Sequence, residues 1–138
     1  MKRAVVVVDG GIQIDAVLGA LAAAGFEAVA TGSVTEVRSH VELGAAAVVL
    51  GVSPEGPDGS HAAALLSMPP TLRRSCVVAL VGPGLATGDG MRAFLLGVDL
   101  VVSAGDIARL GELVGAALAS KRTLVAPLYP TAAAKLGG

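Results

Sequence analysis

Asp9 closes an apolar run and is followed by Gly10 and Gly11, so its carboxylate is a candidate to bind a cation at a strand end. A hard cation wants several oxygens, and one carboxylate is a poor cage. The same side chain can instead cap the following helix or accept from nearby backbone amides. The stretch GPGLATGDG, Gly82 to Gly90, has the glycine content that lets backbone amides approach a phosphate at a strand-to-helix junction. It lacks the Gly-Lys-Ser/Thr ending of a phosphate-binding loop, does not match the dinucleotide fingerprint, and carries Asp89 where an anion would sit. A flexible loop is the competing reading. His61 has no second ligand placed to help it, and His40 suits a surface position near a helix end. Ser53, Ser75 and Ser103 lack His/Asp partners for activation, which argues against a hydrolase. Cys76 is alone, so no internal disulfide or Cys-rich zinc site can form, and a buried structural thiol is expected. Neither a cofactor nor a metal is expected from these residues.

Positioning such groups falls to five apolar runs. AVVVVD (Ala4 to Asp9), FEAVAT, AAVVLG, CVVALVG and VDLVVS are short and rich in Val and Ala. Continuous runs of this kind predict strands buried on both faces of a parallel sheet. Between them lie helical patterns. Ile14, Val17, Leu18 and Leu21 share a face before a stop at Gly25, and Ser33 with Glu36 three residues on predicts a capped second helix reaching about Leu43. SHAAALLSM gives a third helix, ended by Pro69 and Pro70, and GDGMRAFLLG a fourth. DIARLGELVGAALAS gives the last, opening on an Asp106 cap. Strand and helix alternate five times, which predicts a doubly wound α/β domain with ligands expected beyond the strand carboxyl ends. The domain is expected to span residues 1–120. KRTLVAPLYPTAAAKLGG, from Lys121 to the end, reads as a C-terminal tail or linker over 121–138.

Composition narrows the function classes. The chain has 138 residues, 54% hydrophobic and 15% charged, which suits one domain with a proper core. Net charge is −1 and aromatic content 2%, so the basic footprint and stacking rings of nucleic-acid binders are missing. No apolar stretch approaches the ~20 residues of a membrane span, and the basic start MKRAVVVVDGG ends its apolar run too early for a signal peptide. A cytoplasmic location, with no nucleic-acid or membrane partner, is expected.

Taken in order, several segments resemble the receiver domain of bacterial response regulators. GVSPEGPDG looks like the segment that opens with the phosphorylated Asp and closes on an Asp-Gly turn, here Asp58-Gly59. PPTLRRSCVVALVG resembles the approach to the fourth strand, and MRAFLLGVDLVVSAGD the Arg-Ala-x-x-x-Gly-Ala-Asp stretch before a Lys-Pro pair. AAAGFEAVATGS is similar to the end of the first helix and the second strand, so the resemblance runs from about Lys2 to Ser120. It implies a five-stranded parallel sheet of flavodoxin-like, CheY-like type with strand order 2-1-3-4-5. It also implies a degenerate pocket. The acid pair of the family becomes Asp9 with Gly10, the phospho-acceptor position is Gly51, the hydroxyl position Val81, the Lys position Ala104 and the position after it Gly105. These groups depend on one another, and a Lys or Asp buried without its partners costs several kcal/mol. Losing the set together is therefore coherent.

The family uses its fourth helix, fifth strand and last helix to dimerise or grip partners. On that face Leu95 is expected to point to solvent, with Ala93, Phe94, Leu96 and Val98 serving the core. Leu100 stands where a second acid is common, Val101 replaces the aromatic switch residue, and Leu113 lies at the edge of the last helix's inward stripe. Arg92, Arg109 and Glu112 would rim an apolar patch. The resemblance thus implies a phosphorylation-independent pseudo-receiver, not an enzyme, acting through a protein partner or a homodimer in bacterial signalling. The competing reading is a sensor of a nucleotide or other phosphorylated metabolite, using the emptied pocket and the Gly82–Gly90 loop.

Overall fold

The computed structural model describes residues 2–8, 12–52 and 59–137, without the side chains of Val8 and residues 59–62. Asp9, Gly10, Gly11 and Asp58 lie outside the described residues, as does the side chain of His61. Five strands, β1 (Arg3–Val8), β2 (Glu27–Ala30), β3 (Ala47–Gly51), β4 (Val77–Gly82) and β5 (Leu100–Ser103), pair in parallel in the order β2-β1-β3-β4-β5. This is the doubly wound, flavodoxin-like/CheY-like order expected above. The apolar runs become strands because both faces of the sheet are covered. β3 and β4 are buried along their whole length, and edge strand β2 is mostly exposed.

Residues alternate between two cores as the strand period of two demands. Ala4, Val6, Val49, Ala79 and Val102 face one cluster, shared with Val17 and Leu21 of α1 (Ile14–Ala23) and Leu110, Val114 and Leu118 of α6 (Leu110–Val125). Val5, Val48, Val78, Leu80 and Val101 face the other. There they meet Val37 and Val41 of α2 (Val37–Glu42), Ala64 of α3 (Gly59–Leu66) and Ala93 of α5 (Gly90–Leu96). Gly25 and Gly97 take φ of 90° and 73° just after α1 and α5, the left-handed turn that ends a helix without a Cβ penalty.

Local capping departs from expectation twice. Ser33 does accept from a backbone amide, but from Thr35 N at 3.2 Å, and it opens a 3-10 turn (Val34–Glu36) ahead of α2. The Glu36 carboxylate turns away from the expected capping box to bond Thr31 Oγ1. Asp106 does not cap the last helix either. Ser103 opens a 3-10 turn (Ala104–Arg109) by accepting from Gly105 N at 3.3 Å, which leaves Asp106 for another partner.

The chain beyond Ser120 is helical and packed, where a tail was expected. α6 continues to Val125, and α7 (Pro130–Gly137) folds back on it with Ala133 and Leu136 buried, Leu136 inside the core of the α1/α6 face. A further short helix, α4 (Pro70–Arg73), starts on the proline expected to end a helix, since a first-turn proline lacks only an amide that would be unpaired anyway.

Candidate functional site

The positions expected to form a degenerate pocket lie at the strand carboxyl ends. Gly51 is the last residue of β3, fully enclosed, and lies in register with Val8 on one side and Val81 on the other. Val81 is 0% exposed and sits in the core of the α1/α6 face, with Val102 as its register partner on β5. Ala104 follows directly after β5 and is half-buried. The register of β3 and β4 places Gly51 and Val81 side by side. Hydrogen, isopropyl and methyl occupy three neighbouring strand ends, and none of these can accept a phosphoryl group, donate a hydrogen bond or carry charge.

What is organised at this pole is a small polar clasp. Thr87 Oγ1 donates to Asp106 Oδ2 at 2.5 Å and accepts from Ser103 N at 2.8 Å. Gly88 N donates to Val101 O at 3.0 Å, and Asp89 Oδ1 accepts from Arg92 N at 3.1 Å to cap α5. Leu85 is buried beneath. The Gly82–Gly90 segment, expected as a flexible loop, is fastened across the end of β5. A signal for this was present: Thr87 and Asp106 lie in the segments that follow β4 and β5, where polar groups leaving the sheet seek partners.

The expected interaction face is divided. Leu95 is 71% exposed, as expected, and Arg92, Arg109 and Glu112 are exposed, the last two forming a loose pair at 3.9 Å. Val101 is 0% exposed and cannot contribute a surface. Leu100 and Leu113 are half-buried and pack on the core of the α1/α6 face, so they too belong mainly to the interior. Phe94, expected to serve the core, is instead 80% exposed, and Met91 stands beside it in the pattern at 68%. α5 is only seven residues long. Ala93 and Leu96 turn inward three residues apart, which leaves positions 91, 94 and 95 on the outer side. That i, i+3, i+4 apolar stripe is visible in the sequence as a second face of the helix.

A second cluster holds the opposite, amino-terminal end of the sheet. Asp99 accepts from Val78 N at 2.8 Å and from Arg73 Nη1 at 3.1 Å. Lys121 Nζ reaches Asp99 at 3.2 Å and the carbonyls of Arg73 and Cys76 at 2.7 Å each. The expected buried thiol, Cys76, lies beside this cluster, its own carbonyl accepting from Lys121. Burial raises its pKa above the ordinary thiol value; the nearby Arg73 and Lys121 pull the other way without reversing the shift. The sequence around Lys121 reads as a tail because its partners lie 45 and 48 residues away. Among the described residues no three His, Cys, Asp or Glu gather as a metal site, and no helix is long and apolar enough to cross a membrane.

No protein-family model matches the chain, and no curated protein matches it. Among solved structures, the solution structure of a response regulator protein from Burkholderia multivorans is similar, with 14% sequence identity and a TM-score of 0.49, over 80% of this chain and 92% of that one. The fold assignment rests on the strand order and register of this chain itself.

Proposed function

We propose that this chain is a pseudo-receiver: a receiver-like domain that works by protein–protein contact or dimerisation in bacterial signalling, independently of phosphorylation and without a reaction of its own. The observation that carries the reading is Gly51. A receiver-like sheet ends its third strand on a residue with no side chain, enclosed between Val8 and Val81, where phosphoryl transfer needs a carboxylate. Ala104 after β5 offers no cation to compensate an acyl phosphate. The exposed Met91, Phe94 and Leu95 of α5 supply the kind of surface a contact module uses. The alternative, a ligand sensor at the strand ends, has less support, because Thr87 and Gly88 of the glycine-rich segment are committed to β5.

The test is incubation with acetyl phosphate and Mg²⁺, read by intact mass, alongside beryllium fluoride titration followed by amide chemical shifts. The expected outcome is no covalent adduct and no saturable shift at the strand ends. A stoichiometric adduct on any Asp, including Asp9 or Asp58, would overturn the reading.

A further inference from the structure

At the pole opposite the strand carboxyl ends, a cavity of about 390 Å³ opens between α4, the turn that follows it and the start of α7. That volume falls in the range of small-ligand pockets, roughly 300–1,000 Å³. Its chemistry is one-signed. Arg74 and Lys135 both line it, no Asp or Glu does, and among the described residues neither cation has a carboxylate within ion-pair distance. The Arg74 guanidinium lies over the Tyr129 ring, 4.0 Å from its centroid, which holds the charge in place on the cavity wall.

The opening of α7 adds donors. Pro130 has no amide hydrogen, and the first backbone bond of the helix runs from Ala133 N to Tyr129 O at 3.0 Å. The amides of Thr131 and Ala132, both at the cavity, have no acceptor among the described residues. They stand at the positive end of the helix dipole. Hydroxyls of Thr71 and Thr131, able to donate as well as accept, complete the polar lining, and Leu128 supplies an apolar wall.

We propose that this cavity binds a small phosphomonoester, its phosphate held between Arg74, Lys135 and the first amides of α7, its organic body along Leu128 and Thr71. Two cations and two amides match a dianion better than a single carboxylate. A bare phosphate would leave most of the cavity to water, whereas a body the size of a sugar or nucleoside fills it. The cavity shares no lining residue with the Gly51 strand end or the α5 stripe, so the proposal stands or falls separately from the pseudo-receiver reading.

A titration of the ¹⁵N-labelled protein tests it, with adenosine monophosphate and a hexose monophosphate as probes and adenosine, free hexose and inorganic phosphate as comparators. The expected result is saturable movement of the Thr131, Ala132 and Ser75 amides by at least one monoester at millimolar concentration or below, none by the uncharged comparators, and weaker binding of inorganic phosphate. Lys135→Gln, at an exposed position that serves no core contact, should raise the dissociation constant about tenfold, the loss of one charge-assisted bond. The proposal is overturned by silence at those amides with both monoesters, by shifts confined to the strand carboxyl ends, by binding unchanged in Lys135→Gln, or by inorganic phosphate binding as tightly as the esters.

Discussion

Gly111 and Gly115 sit one turn apart on α6, yet the same substitution should act on them with opposite sign. A Cβ at Gly111 would lie 2.3 Å from Ala24 Cβ and 2.7 Å from Ala20 O, because α1 and α6 touch backbone to backbone at this point. Neither neighbour can swing aside. Gly111→Ala is expected to lower stability by about 1–3 kcal/mol, the usual cost of overpacking. A Cβ at Gly115 meets nothing within 4 Å, so Gly115→Ala gains helix propensity and should raise stability by about 0.5–1 kcal/mol. Urea denaturation of the two variants reads the difference in sign. Cys76 carries a second residue-level expectation. Burial keeps its thiol protonated above 9.0, the pH at which the unfolded chain's thiol ionises. The unfolded state then loses its proton first, so the stabilising contribution is complete below that pH and falls as the solution becomes more alkaline. The stability advantage of the wild type over Cys76→Ala should be flat through neutral pH and shrink above about pH 9; an advantage that grew with alkalinity would contradict the burial argument.

Elements whose faces are both covered were plain in the sequence, and elements held by long-range contacts were not. β3 and β4 read as strands because every residue from Ala47 to Gly51 and from Val77 to Gly82 is buried, which forces an unbroken apolar run. The segment after Ser120 has no such pattern. Its anchors are one Lys reaching carbonyls 45 and 48 residues away and one Leu inserted into a core made by other elements. Pro127 and Pro130 read as breakers, although Pro130 starts a helix. The physical weight of this segment is testable. Leu136 is 1% exposed, so Leu136→Ala should cost about 2–5 kcal/mol, as core truncations do. A chain ending at Ser120 loses both Leu136 and the Lys121 bonds and should melt well below the full chain in a calorimetric scan. Equal melting temperatures would return residues 121–138 to the status of a tail. The register that sets Gly51 beside Val81 is not written in these unbroken apolar runs, which have no alternation to fix it; it is seen only in the sheet itself. Phe94 was misplaced because size and apolarity suggested a core residue, while the inward positions of so short a helix were already filled by Ala93 and Leu96.

At the scale of the whole molecule, the proposed interaction role is tested first on the α5 side, where Met91, Phe94 and Leu95 are exposed together. Three exposed apolar side chains are too few for a durable interface, which buries roughly 1,200–2,000 Å² in total. They would form its centre, with the exposed Arg92 of the same helix beside them. A net charge of −1 leaves little general repulsion between copies, so short-range complementarity would decide assembly. A charged residue at Phe94 or Leu95 meets solvent in the isolated chain and desolvates only in a complex. Phe94→Glu and Leu95→Glu should therefore leave the melting temperature within the range of ordinary surface changes, about ±0.5 kcal/mol. They should also abolish any concentration-dependent rise in mass seen by light scattering. Leu113→Glu should behave differently. Its side chain packs on the core of the α1/α6 face, so a charge there costs folding stability before it touches an interface. A wild-type mass that rises with concentration and stays unaltered in both α5 variants would remove this face from the proposal, since assembly would then proceed with a charge in the middle of the stripe.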